Sequence, residues 1–322
     1  MKKTLAFILT LVILATVCLT FTACPDKTEG KKFKVGVCQL TQHPALDQAT
    51  QGFIDALKAE LGEENVDIDV QNAAGDTNVC NTIVGNFVSK NVDLIMANAT
   101  SALQAAYNAT TTIPILGTSI TSYDVALDLD VVDGVVGGNV SGTSDLADLS
   151  QQADMILEWY PNVKKVGIVY CSAEANSAYQ VAEMKKYLSA KNVEVEEFSF
   201  SDSNDISSIV TTACGKCDAL YIPTDNTAAS CAETIGNIVR ENKVPVFTGE
   251  ENTAKGCGVA SLTISYYDLG VTTGKMAAKI LKGEADISTM KLEYAPATKK
   301  YNKEMCELLE LPIPEGYVEI EK

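Results

Sequence analysis

Two stretches of this chain can be laid over one another. VDLIMANATSA (92–102) has a counterpart in CDALYIPTDNTAA (217–229), and IPILGTS (113–119) has one in VPVFTGE (244–250). In each, an apolar strand-like run gives way to acids, amides and hydroxyls just before a helical pattern. The correspondence reaches further, because FKVGVC (33–38) is mirrored by KKVGIVYC (164–171). Between the strands lie helical faces: Leu46, Ala49, Phe53, Leu57 and Leu61 recur three or four apart, as do Val181, Met184 and Leu188 in the second half. A long-period repeat of alternating strand and helix restricts the fold to α/β, with two doubly wound parallel-sheet lobes of similar topology.

A chain of 322 residues with 46% hydrophobic and 21% charged residues can bury two cores of ordinary size. The remaining segment, 257–322, is too short for a third domain. It is expected to cross back to the first lobe and return, giving lobes of 33–139 plus about 264–294, and 140–263 plus about 295–322. Gly137-Gly138 marks the other expected crossing, and the region 143–160 reads as a helix. Several crossings make a multi-strand hinge.

The N-terminus is a separate signal. Lys2 and Lys3 precede an apolar run over 5–21, with small residues Thr22 and Ala23 leading to Cys24. This describes an export signal, and the polar PDKTEGKK that follows argues against a membrane span. Phe21-Thr22-Ala23-Cys24 resembles a bacterial lipobox, with Phe where Leu is usual. Residues 1–23 are then a signal peptide, Cys24 the lipidation site and 24–32 a tether. The mature charge would be −17 − 2 = −19, since Lys2 and Lys3 leave. With no basic cluster, such a chain is not suited to nucleic acid or an anionic lipid surface. Eight cysteines remain beyond Cys24. Cys214-Gly-Lys-Cys217 reads as a local disulfide or as two packing residues, because no second pair completes a zinc site.

In doubly wound sheets ligands bind beyond the carboxyl ends of the strands. The loops there are polar: QLTQHPALD (39–47), NATSA (98–102), GTSITSYD (117–124), CSAEANSAY (171–179), PTDNTAA (223–229) and GEENT (249–253). Hydroxyls at helix N-termini suit a carboxylate, with Thr100, Ser101 and Thr118 as candidates. Asp225 and Glu250 on the facing lobe suit an ammonium group. Each is also an ordinary N-cap residue, and capping alone is the competing explanation. Catalysis is poorly supplied: the one histidine is His43, and neither a G-x-S-x-G elbow nor a phosphate-binding loop is present. The chain reads as a non-enzyme without cofactor or metal.

VGVCQLTQHPALDQATQGFIDAL, NAAGD, GNVSGTSD, PNVKKVGIVYCSAEANS, YIPTDNTAAS and YYDLGVTTGKMAAKILKGE resemble the substrate-binding proteins of an ABC-importer family associated with tryptophan and other aromatic amino acids. The resemblance covers nearly the whole mature chain. It implies a type I periplasmic-binding-protein fold that closes by hinge motion on tryptophan, tyrosine or phenylalanine. It also implies a lipid-anchored monomer outside the cytoplasmic membrane, delivering to an ABC permease and its ATPase. By position, His43, Thr100, Asn176 within EANS, and Asp225 and Asn226 within TDN would border the cleft. Ser101 and Thr118 would hold the ligand carboxylate, and Glu250 its amine. Where the family often shows TDP, this chain has TSITSYDV, which brings Ser119 and Tyr123 into consideration. Tyr123, Tyr170 and Tyr266 are candidates to stack on an aromatic ligand. A branched-chain amino acid, nucleoside or sugar as ligand, or a surface receptor or adhesin role, stays open.

Overall fold

The computed structural model describes residues 32–321. The expected signal peptide, Cys24 and nearly all of the tether lie outside the described residues. From Phe33 onward the chain gathers into one compact unit made of two lobes. The first begins β1 (Phe33–Gln39), α1 (Pro44–Leu61), β2 (Val66–Asn72), α2 (Thr77–Ser89), β3 (Leu94–Asn98), α3 (Thr100–Ala109), β4 (Ile115–Ile120), α4 (Tyr123–Leu127) and β5 (Val140–Ser144). The second repeats the scheme with α5 (Leu149–Trp159), β6 (Lys165–Cys171), α6 (Ala175–Ala190), β7 (Glu194–Phe200), α7 (Ile206–Cys214) and β8 (Ala219–Ile222). It continues through α8 (Asn226–Ser230), α9 (Ala232–Asn242), β9 (Val246–Thr248), α10 (Glu251–Cys257) and β10 (Ala260–Thr263). The chain then returns to the first lobe with α11 (Tyr266–Leu281) and β11 (Glu293–Tyr294). It finishes in the second with β12 (Thr298–Tyr301), α12 (Lys303–Leu309) and β13 (Val318–Glu319).

The first sheet runs in the order β11, β5, β4, β3, β1, β2, and all its pairs are parallel. The second runs β13, β12, β10, β9, β8, β6, β7. There β12 joins β10 antiparallel, because it arrives directly from the other lobe rather than through a helix. β3 and β4 are buried along their whole length, as expected for parallel strands covered on both faces. Strand order reverses between β1 and β3 in one lobe and between β6 and β8 in the other. Those are the switch points at which doubly wound sheets open a crevice, and they face each other here.

Two expectations about the crossing are corrected. β5 pairs with β4, so 140–144 belongs to the first lobe and the chain crosses at 145–148, not at Gly137-Gly138. The glycines instead take left-handed turns, φ +85° and +60°, just before β5. The helix expected over 143–160 starts only at Leu149, capped by Asp148, whose carboxylate accepts from the Ser150 and Gln151 amides. The other crossings are 264–265 and 295–297. Cys214 and Cys217 are free, buried thiols in the second core, so the local disulfide is not formed. Burial pushes both up to about 11, which fits inert packing.

After the second crossing, α11 is fastened to the first lobe by backbone contact with α1. A Cβ added at Gly270 would run into the Ala49 carbonyl, one at Gly52 into the Tyr267 carbonyl, and one at Gly274 into that of Phe53. Around them Phe53, Leu57 and Met276 pack on Val35 and Val37 of β1. Since backbone cannot yield as a flexible side chain can, Gly270→Ala is expected to cost about 1–3 kcal/mol. The check is a lowered urea midpoint with an unchanged slope.

Candidate functional site

On the first lobe, the site is built by one irregular strand end. β4 leaves register with β5 between Gly117 and Ile120, and Ser119 inside that bulge takes φ +56°. A serine in the left-handed region is strained by roughly 1–3 kcal/mol. The bulge places the Ser119 side chain at the cavity wall, where its Oγ is buried and has no hydrogen-bond partner among the described residues. Beside it Thr121 Oγ1 donates to Asp145 Oδ1 (3.2 Å), and Tyr266 OH donates to Asp145 Oδ2 (2.8 Å). Asp145 stands in the first crossing and Tyr266 next to the second, so this bond ties two hinge segments together. His43 caps α1 in extended conformation, without a side-chain cap bond, ahead of Pro44.

On the second lobe three acids stand at helix N-termini. Asp225 caps α8: Oδ1 accepts from the Ala228 amide (2.8 Å), and Oδ2 from the Cys171 amide at the end of β6 (2.6 Å). Glu250 caps α10, with Oε2 accepting from the Asn252 amide (2.7 Å) and Oε1 from both the amide and hydroxyl of Thr253. Glu174 precedes α6 and accepts five hydrogen bonds, from Asn176, from the amide and side chain of Asn226, and from the amide and hydroxyl of Thr227. That carboxylate locks the loop after β8 against the loop after β6.

Between the lobes Asp145, Asp225, Glu250, Ser119 and His43 line a cavity in which only about 10 Å³ can take the centre of a water molecule. That is room for about one water, so an amino acid enters only when the lobes part. Asp145, Asp225 and Glu250 line the cavity, and no Lys or Arg does. Burial raises Asp145 to about 6, against the hydrogen bonds of Tyr266 and Thr121. Burial, then the nearby Glu174 charge, raises Asp225 to about 7, against its backbone hydrogen bonds. Such a cavity disfavours three negative charges and favours an added cation.

Of the residues picked out from sequence, His43, Ser119, Asn176, Asp225, Asn226 and Glu250 line this cavity, as does Tyr266. The others are placed elsewhere. Thr118 is fully buried under α11, its hydroxyl in a chain with Thr143 (3.2 Å) and Thr273 (2.9 Å). Thr100 is buried at the start of α3 and is not in the cavity wall. Ser101 faces a separate, larger hollow with Glu174 and Thr227. The hydroxyl trio expected for a carboxylate is therefore not assembled; the bulge turns Ser119 inward instead. Tyr123 does not face the cleft but fills the first core, donating to the Gly117 and Thr143 carbonyls (3.0 Å each). Tyr170 is on the far side of β6, with its hydroxyl on Glu197 (3.1 Å). Sequence reasoning missed Asp145 and Thr121. Asp145 ends the quoted GNVSGTSD, and an acid straight after a hydroxyl-rich strand was the available signal.

A closed, acidic cavity at the facing switch points of two doubly wound lobes, with three crossings between them, defines a bilobed ligand-binding protein of the type I periplasmic-binding fold. Residues 34–316 match the family of ABC transporter substrate binding proteins, and the chain belongs to that family. It is 38% identical over 264 residues to a tyrosine-binding protein of Clostridioides difficile (strain R20291), covering 80% of this chain and 76% of that protein. A crystal structure of an ABC domain in complex with L-Trp from Streptococcus pneumonia is similar at 35% identity and TM-score 0.84, covering 88% of this chain and 97% of that one. The ligand-free, open structure of a substrate binding protein with adhesive properties from Clostridium difficile shares 36% identity, over 90% of this chain and all (100%) of that one, with TM-score 0.68. At nearly the same identity the score is lower for the open form, so the overall shape here is nearer to that of the tryptophan complex.

Two outcomes are expected. Ser119→Gly relieves the left-handed strain, so its melting temperature is at least that of the parent, while ligand affinity falls because the inward hydroxyl is gone. A second outcome concerns pH. Asp145 and Asp225 keep protons in the native state above the ordinary carboxyl value of 3.8. Between about pH 4 and 7 the native chain thus binds more protons at these sites than the unfolded one, and their share of stability is lost as pH rises through that window. Thermal melts of ligand-free Asp225→Asn are expected to decline less over that interval than those of the parent.

Proposed function

We propose that this protein captures a free amino acid with an aromatic side chain (tryptophan, tyrosine or phenylalanine) in the interlobe cavity. It does so outside the cytoplasmic membrane as a monomer held by a lipid on Cys24, and hands its cargo to an ABC permease and its ATPase. The observation that carries the amino-acid reading is the cavity wall, with three buried carboxylates and neither Lys nor Arg. A ligand ammonium supplies the missing positive charge. Asp145, with one oxygen on Thr121 and the other on Tyr266, keeps lone pairs for it, and Ser119 Oγ is left for the ligand carboxylate. The names of the relatives from Clostridioides difficile and Streptococcus pneumonia support the aromatic side chain.

Capture then follows from the hinge. The ligand settles on one lobe of an open form, and closure brings the carboxylates of both segments around the ammonium. Excluding water strengthens each of these contacts. The reaction is reversible binding, so release to the permease requires only that the lobes be held apart.

Titration calorimetry with the twenty amino acids is the test. Tryptophan, tyrosine or phenylalanine is expected to bind most tightly, and deaminated analogues such as phenylpropionate not measurably. Asp145→Asn, which keeps the shape and the bond to Tyr266, is expected to weaken the preferred amino acid by at least about tenfold. Equal affinity for an amino acid and its deaminated analogue would rule the reading out.

A further inference from the structure

The one histidine of the chain is placed to read the ligand side chain. His43 is 6% exposed and lines the cavity, yet only one of its ring nitrogens is bonded: Nε2 lies 3.3 Å from Asn226 Oδ1 across the lobe gap. The orientation of that amide is fixed from behind. Asn226 Nδ2 donates to Glu174 Oε2 at 2.7 Å, and Glu174, already accepting from backbone amides and a threonine hydroxyl, acts there as an acceptor. The amide oxygen is therefore the atom turned to His43, and His43 must donate from Nε2–H. In a neutral ring this leaves Nδ1 as a bare acceptor. Nδ1 is buried and has no partner among the described residues.

The surroundings say what should meet it. Leu46 stands three residues after His43 on the same face of α1, and Ala229 three after Asn226 on α8; both line the cavity. Asp145 and Tyr266, bonded to each other, line the same cavity from the hinge segments. His43 thus brings an unpartnered buried acceptor to a stretch of wall that also carries Leu46 and Ala229.

We propose that His43 is a specificity residue, with Nδ1 accepting a hydrogen bond from a donor on the aromatic side chain of the ligand. A phenolic O–H or an indole N–H satisfies it; an unsubstituted phenyl ring leaves it buried and unpaired. This rests on the amino-acid reading above and narrows its substrate class. Glu174 acts one step back, as the positioning residue that sets the Asn226 amide and through it the histidine tautomer.

The test measures affinities of the full-length protein for tyrosine, tryptophan and phenylalanine, and for O-methyltyrosine and 1-methyltryptophan, by calorimetry. A lone buried acceptor left unpaired is worth about tenfold or more. Tyrosine or tryptophan is therefore expected to bind at least about tenfold more tightly than phenylalanine and than its own methylated analogue. His43→Leu is expected to shrink the ratio between the preferred ligand and phenylalanine to within about threefold. If phenylalanine matches the others on the parent protein, the assignment fails while the amino-acid reading stands. Equal weakening of all ligands by His43→Leu would make His43 a closure contact only. If no aromatic amino acid binds, the underlying reading fails and takes this assignment with it.

Discussion

Carboxylates do not remain ionised in a dry cavity unless something positive or several donors face them. Here the donors are unevenly shared. Glu250 and Asp225 are served by the amides of their own helices, and Glu174 by four donors from the loop after β8 and by Asn176 of α6. Asp145 has two hydroxyls and no amide of a helix, and it stands where the chain passes from one lobe to the other. The charge that the cavity lacks is therefore felt at a hinge residue as well as at the helix starts. Supplying it from a ligand acts directly on the segment that sets the angle between the lobes.

The direct bonds between the lobes are correspondingly slight. His43 meets Asn226 at 3.3 Å, while Thr121 meets Thr224 and Gln180 at 3.4 Å each. Such lengths lie at the weak end for hydrogen bonds. Closure without a ligand thus gains little from direct contact, while it brings Asp225 and Glu250 toward Asp145. A cationic group reverses the second effect and leaves the first unchanged. The population of closed form then tracks occupancy, as a receptor handing cargo to a transporter requires.

Much of the architecture was legible in the sequence, because parallel strands buried on both faces, such as LIMAN and ALYI, are continuous apolar runs that announce themselves. β5 was not, since VSGTS is buried through a chain of hydroxyls rather than by apolar side chains. Missing it moved the first crossing and hid Asp145. The acids at helix starts were readable from type and position. The inward turn of Ser119 was not, because it depends on a bulge and a left-handed φ that serine does not advertise. Tyr123 misled for a related reason: in a loop-like stretch it resembles a ligand contact, whereas it closes the space beside the bulge and takes up the Gly117 and Thr143 carbonyls. Packing between distant segments decided each case.

Capping and ligand binding were rival explanations for the acids before helices, and the structure makes them one. Asp225 and Glu250 hold their helices and line the cavity with the same carboxyl groups. Their truncation removes a cap worth about 0.5–2 kcal/mol together with a wall of the site, so loss of binding there does not by itself identify a ligand contact. Asp145 caps no helix, because Asp148 serves α5, and its partners are side chains rather than backbone. An effect on affinity at Asp145 is for that reason the cleaner measure of what the cavity does with charge. A chain that had to bury acids for folding alone would have no need of one at this position.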